Sequence, residues 1–320
     1  MKQSTLTHIK MNVKISKTVK SMALCFAMAT ALPSFSQQYI EIEPLFEYIS
    51  APEELSTLNE KSDYLVEHFW DNMDFKSTNA VDQTALNHAF KVYSTPLRFA
   101  EKGKASASVD KLIVSLSKNP TLMLQFTKAA EENIYGPRSE VWIDEVYVKF
   151  LQALVKNKKI QEARKEKYVK QLAMLEASTL GNKAPTFTFE NLNGGESSYF
   201  PMATPSIIIF ANPTNTDWRM ARLRMETNAQ LTQAVDKGKI NVLFIVPEKM
   251  EGWKDEVANY PQRWTMGCAE DLSEKIDVRA KSSIYFASVW FIGSDGKIAL
   301  KNVPIETAVE EALKAVSSPS

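Results

Sequence analysis

The chain of 320 residues carries 38 basic and 38 acidic side chains, three His and two Cys. Without residues 1–36 the net charge is −5, and mild acidity with no basic block argues against nucleic acid as the partner.

Residues 1–36 read as a secretory signal peptide. Lys2, Lys10, Lys14, Lys17 and Lys20 precede the apolar run Met22 to Ala29, and Pro33 leads into the small-x-small end Ser34-Phe35-Ser36. The run is too short to span a bilayer, and nothing later in the sequence resembles a span. Cleavage after Ser36 would remove those five Lys, no acid, and Cys25, leaving 33 basic against 38 acidic residues, a net charge of −5 and Cys268 as the lone thiol. An internal disulfide or dithiol cycle is then impossible, although the compartment would permit disulfides. The expectation is an exported protein of the periplasm or cell envelope.

Residues 37–52, with Pro44 and Pro52, read as an extended lead-in. Helical periodicity follows over residues 53–178. Leu55, Leu58, Tyr64, Leu65, Phe69 and Trp70 share one stripe, and Leu86 with Phe90, Leu112 with Leu116, and Leu122 with Phe126 begin others. Asn119-Pro120 marks a helix start, Gly136-Pro137 a break, and Ile143 to Leu154 and Tyr168 to Leu175 two further helical faces. The pattern changes at Gly181 to Pro185, which opens residues 179–320. Phe187 and Phe189 alternate ahead of the Gly194-Gly195 turn, and Pro205 to Phe210 suits a strand buried on both faces. A helix capped by Asn215 or Thr216 runs to Gly238, and Ile240 to Val246 is the next strand. Ser288 to Ile292 and Lys297 to Leu300 flank a tight turn, and a helix from Ile305 to Val316 closes the order. The fold class is α + α/β: an all-helical domain, then an α/β sandwich.

Gly181-Asn182-Lys183-Ala184-Pro185-Thr186-Phe187 resembles the opening motif of the exported thioredoxin-like and peroxiredoxin superfamily, in which Ala-Pro-x-Phe starts the first hairpin. Asp295-Gly296-Lys297-Ile298 is similar to the turn after that superfamily's cis-proline strand. The resemblance covers about residues 180–316 and implies a thioredoxin-like sandwich. The helical part, including Asn133 to Ser139 and Glu145-Val146-Tyr147, resembles an uncharacterised domain that precedes such domains in exported Gram-negative proteins and has no established activity to transfer.

Active members of the superfamily hold the first redox Cys at a helix N-terminus, where free amides and the helix dipole favour the thiolate. The resemblance places the two redox positions at Asn215 and Trp218, and the cis-proline position at Ala287. Asn215 can accept the amide hydrogen bonds but cannot attack a disulfide, and Trp218 cannot resolve one. A cis bond before a residue other than proline costs about 3 kcal/mol, so a trans bond is expected at Ala287.

Cys268, in Met266-Gly267-Cys268-Ala269, has no basic cluster nearby in sequence and reads as a small buried hydrophobe rather than a nucleophile. His68 and His88 lie in the helical part; a Cys-His or Ser-His-Asp site in the C-terminal half is excluded by composition. Zinc spacings and phosphate loops are absent, so no metal or cofactor is implied. Arg219, Arg222 and Arg224 read as a solvated helix face rather than an anion site. For Trp218 two readings stand: an exposed hot spot beside Arg219, or an indole turned inward to fill the space of the missing cysteines.

The sequence therefore points to an exported, non-enzymatic binding or assembly module on a redox-inactive thioredoxin-like scaffold. It would hold a protein or peptide partner through the helical domain, the cleft between domains, or an edge formed by Asn215, Trp218, Arg219 and Arg222. The rivals are a thiol-redox enzyme acting through Cys268 and a small-ligand binder at the domain interface.

Overall fold

Side-chain caps mark the starts of the first four helices. In the computed structural model, which describes residues 42–77, 79–136, 139–270, 272, 275–277 and 287–317, Thr57 and Glu60 form a reciprocal box ahead of α1 (Leu58–His68). The Glu60 N–H donates to Thr57 Oγ1 at 3.1 Å and the Thr57 N–H donates to Glu60 Oε2 at 2.9 Å. Asp82 caps α2 (Gln83–Phe99), and Glu101 caps α3 (Lys102–Leu116). Asn119 accepts from the amides of Thr121 and Leu122, both at 3.1 Å, with Pro120 opening α4 (Pro120–Ile134). Two more helices, α5 (Asp144–Lys156) and α6 (Glu162–Ala177), complete the run.

The expected apolar stripes meet in one core built around Phe90, Tyr93, Phe126, Tyr147 and Phe150. Leu58 departs from its stripe and faces solvent, while Ser62 and Val66 take the inner face of α1. Phe46 and Tyr48 of the lead-in lie on this core, with ring centroids 5.6 and 5.3 Å from Phe69. Tyr48 also meets His88, Oη to Nδ1 at 3.2 Å. His68 is held to Asp71 at 2.8 Å near the surface.

Beyond α6 the chain forms a mixed sheet with strands β1 (Phe187–Asn191), β2 (Glu196–Tyr199), β3 (Ser206–Phe210), β4 (Asn241–Val246), β5 (Thr265–Cys268), β6 (Ser288–Ile292) and β7 (Ile298–Lys301). Their order is β2-β1-β5-β4-β3-β6-β7. Strands β3, β4 and β5 run parallel, and β6 and β7 return antiparallel. Every residue of β3 and β6 is buried, as a strand covered on both faces requires. Helices α7 (Thr216–Glu226), α8 (Ala229–Asp236), α9 (Trp253–Glu256) and α10 (Ile305–Ser317) complete the elements.

One expectation is corrected: the single helix from Asn215 to Gly238 is two, because Asn228 turns out of α7 and caps α8, its Oδ1 accepting from the Leu231 amide at 3.0 Å. The segment around Cys268, to which the sequence reading assigned no element, is strand β5, inserted between β1 and β4. Gly267 permits this insertion: a Cβ there would lie 2.1 Å from the buried Phe189 ring. The expected signal peptide, Pro137 and Lys281 to Phe286 lie outside the described residues.

Candidate functional site

The turn from β3 into α7 is built by asparagines. Asn212 Oδ1 accepts from the Thr214 amide at 2.9 Å and its hydroxyl at 2.7 Å, and the Asn215 amide donates to the Asn212 carbonyl at 3.0 Å. Asn215 then caps α7, its Oδ1 accepting from the Trp218 amide at 2.8 Å. The carboxamide thus takes a hydrogen bond that a thiolate at this place would use.

Trp218 turns inward. Its indole stacks on Phe244 of β4 with centroids 5.0 Å apart, and its Nε1–H donates to the Tyr260 hydroxyl at 2.8 Å. Tyr260 meets the Phe244 ring edge-on at 5.1 Å, and burial pushes its phenol pKa up. Asn215 is 5% exposed and Trp218 1%. Both are therefore withdrawn from the contact edge expected of them: the third residue after the cap faces the sheet, where Phe244 and Tyr260 supply an aromatic bed.

The arginines that follow are engaged locally. Arg219 pairs with Glu256 at 3.4 Å and stays exposed. Arg222 pairs with Glu226 at 3.2 Å and lies 4.4 Å over the Tyr260 ring, and Arg224 reaches Glu306 at 2.7 Å. Only Arg219 of the expected edge is left at the surface, and no unmatched positive patch remains on α7. Ala287 directly precedes β6, whose Ser288 pairs with Phe210, so it sits where β3 ends and the turn to α7 begins. Among the described residues no peptide bond is cis.

Cys268 lies at the end of β5, paired with Val246 of β4, on the same sheet edge as Asn215 but two strands away. It is 8% exposed, and its Sγ–H donates to the Glu248 carbonyl at 3.3 Å. Burial first, then Glu190, Glu270 and Glu248, push the thiol pKa up, against the opposing pull of a backbone hydrogen bond from Met250. This is the reverse of the electropositive setting that activates a thiol. The sulfur borders an open, acid-rimmed cavity of about 930 Å³ together with Glu190, Lys249, Trp253 and Glu270. A second cavity, of about 500 Å³, lies where α5 and α6 face the end of β7, between Trp142, Val148, Leu175, Leu180 and Lys301. No helix among the described residues is long and apolar enough to cross a membrane, and none of their acid, His and Cys groupings could hold a metal.

A family model described as a domain of unknown function (DUF5106) matches residues 4–178. None of the curated proteins matches the sequence significantly. Among solved structures, a thioredoxin-like protein from Bacteroides caccae ATCC 43185 is 19% identical with a TM-score of 0.67, over 85% of this chain and 99% of that one. A conserved protein of unknown function from Bacteroides fragilis is 21% identical over 42% of this chain and 98% of its own, with a TM-score of 0.38. The thioredoxin domain of a thiol-disulfide oxidoreductase from Bacteroides vulgatus is 17% identical over 43% and 99%, with a TM-score of 0.37. The first of these likenesses shows the fold, which is thioredoxin-like, and it extends over helical and sheet halves alike.

Two outcomes follow from the packing at this sheet edge. Trp218→Ala should cost about 3–5 kcal/mol in urea unfolding, and Tyr260→Phe about 1–3 kcal/mol because it orphans a buried indole N–H; surface-like costs below about 0.5 kcal/mol would contradict the burial. For Cys268, a folded-state pKa raised above the unfolded one means that its stabilising contribution is complete below the unfolded value and is lost as pH rises through the folded value. Maleimide labelling near pH 8 should accordingly be about tenfold or more slower in the native chain than in urea, and faster native labelling would contradict the acidic, desolvated setting.

Proposed function

The chain belongs to the DUF5106 family, a domain of unknown function, and we propose that it serves as an exported binding or assembly module on a thioredoxin-like scaffold without thiol chemistry. The observation that carries this reading is the occupied helix start: Asn215 as cap and Trp218 packed beneath it. Attack on a disulfide needs a thiolate at that place, and a second thiol to resolve the product. Neither is there, and the space is full. Export is supported by the lysine-led apolar leader of residues 1–36.

A protein or peptide partner in the cell envelope is the proposed ligand, held at the cleft between the helical and sheet halves. The cavity of about 500 Å³ there, with Trp142, Val148 and Leu180 on its walls, supports that choice over the buried Asn215–Trp218 edge. It also supports a small ligand as the second reading, because such concave sites commonly lie between domains. The thiol-redox reading through Cys268 is opposed by the raised thiol pKa and the ring of acids.

Dithiothreitol-driven insulin reduction distinguishes these readings. The mature chain and Cys268→Ser should both run at the uncatalysed rate. Catalysis by the parent that disappears in Cys268→Ser would overturn the proposal and move the chemistry to that thiol. A photo-crosslinking residue at Leu180, on the cleft rim, should capture an envelope protein that the same residue at exposed Val114 does not; equal capture at both would argue against the cleft.

A further inference from the structure

The helical half is covered on one side by a segment that is not a helix. Residues 42–50 form neither helix nor strand, yet Leu45, Phe46 and Tyr48 pack on the helical core. Phe46 and Tyr48 turn inward while Glu47 between them is exposed, the alternation of an extended chain. Their floor is made by Phe69 and Trp70, just beyond α1, and by His88 of α2. The two rings meet with centroids 5.2 Å apart, and Phe46 lies 5.6 Å from Phe69 and 5.5 Å from Trp70. Tyr48 lies 5.3 Å from Phe69 and stacks on His88 at 6.2 Å. Two polar contacts accompany the rings: Asn72 Nδ2 donates to the Glu47 carbonyl at 2.8 Å, and the Tyr48 hydroxyl meets His88 Nδ1 at 3.2 Å.

Two features set this segment apart from the helices it touches. Its backbone is nearly unused: among the described residues, the Glu47 carbonyl is the only main-chain group of residues 42–50 with a hydrogen-bond partner. Helices and strands satisfy their own N–H and C=O groups, whereas a segment held by its side chains leaves them to water, as a bound peptide does. The helices, in turn, do not need the segment to begin or to fill their centre. The box of Thr57 and Glu60 starts α1 by itself, and Phe90, Tyr93, Phe126 and Phe150, all 0% exposed, come from the helices. Phe46 and Tyr48 are only partly buried. Between segment and α1 the Leu55 amide donates to the Pro52 carbonyl at 3.3 Å, a turn that can stay in place while the residues ahead of it lift.

We propose that residues 42–50 are an intrachain ligand seated in a peptide groove, and that the groove takes in their place a partner segment of the same chemistry: two aromatic side chains two residues apart, with a backbone carbonyl between them. Phe69 and Trp70 receive the first ring, and Phe69 and His88 the second. Asn72 reads main chain and not a side chain, so the residue between the aromatics is unrestricted. In the closed chain the segment competes at high effective concentration, and a partner binds only the fraction of molecules whose segment has lifted. The groove shares no residue with the cleft lined by Trp142, Val148 and Lys301 and stands independently of it.

Fluorescence anisotropy with a labelled synthetic peptide of residues 42–50 tests the groove on the full chain, wild type against the double variant Phe46→Ala with Tyr48→Ala. The double variant should keep the helical circular dichroism of the wild type and bind the peptide about tenfold or more tightly than the wild type does. Adding Asn72→Ala should weaken that binding, and a peptide with both aromatics replaced by Ala should not bind. A folded double variant that fails to bind the peptide would overturn the proposal. Equal affinity for both proteins would also overturn it, because the peptide would then sit away from the groove. So would loss of helical signal in the double variant, which would make the segment part of the core and not its ligand.

Discussion

The indole of Trp218 cannot leave the space between Phe244 and Tyr260 without opening a cavity and stranding a buried N–H, and this constraint determines what the start of α7 can be. A thioredoxin-like redox site needs a helix N-terminus with a free, partly exposed thiolate. Here the helix start is capped by a carboxamide, and the residue one turn later is a full-sized aromatic anchor. The neighbouring charges follow suit: Arg222 covers Tyr260 and pairs with Glu226, and Arg224 reaches Glu306 on α10. The start of α7 is packed aromatic surface, the kind of burial that contributes several kcal/mol to a fold.

The lone thiol lies on the same edge of the sheet but in the opposite electrostatic setting. Parallel strands β3, β4 and β5 all end there, the side of an α/β sheet where ligands usually meet protein. At Cys268, however, burial and three carboxylates act together to keep the sulfur protonated. The cavity beside it is rimmed by acids, several of them already paired, as Glu190 is with Lys254 at 2.6 Å and Glu270 with Lys249 at 3.6 Å. Away from this edge, Lys301 at the end of β7 bridges the sheet and the helical half, its ammonium meeting Asp277 at 2.7 Å and Asp144 of α5 at 3.2 Å.

Much of the fold was legible from residue type and spacing. Asn119-Pro120 announces α4 because an Asn cap and a Pro at the first helical position satisfy the same unpaired amides. The uninterrupted apolar runs of β3 and β4 show strands covered on both faces, and Asn215 is recognisable as a cap. The break between α7 and α8 was less visible, since apolar spacing continues across it and only Asn228 marks the new start. Strand β5 is four residues long and contains Gly267, too little for a periodic signal. The direction of Trp218 depended on Tyr260, 42 residues away, as its hydrogen-bond acceptor. Lys301 lies just beyond the strand expected over Lys297 to Leu300; its partners Asp277 and Asp144 lie 24 and 157 residues distant, and no local pattern encodes such a meeting.

The start of α7 is sealed core, with Asn215 5% and Trp218 1% exposed. The most direct measurement is hydrogen exchange of the tryptophan indole N–H groups by NMR, with the Trp218 resonance assigned through Trp218→Phe. The Trp218 indole proton should exchange only on the scale of global unfolding, like the amides of β3 and β4. Exchange as fast as that of an exposed indole would contradict it, and would return Trp218 to the surface as a contact residue.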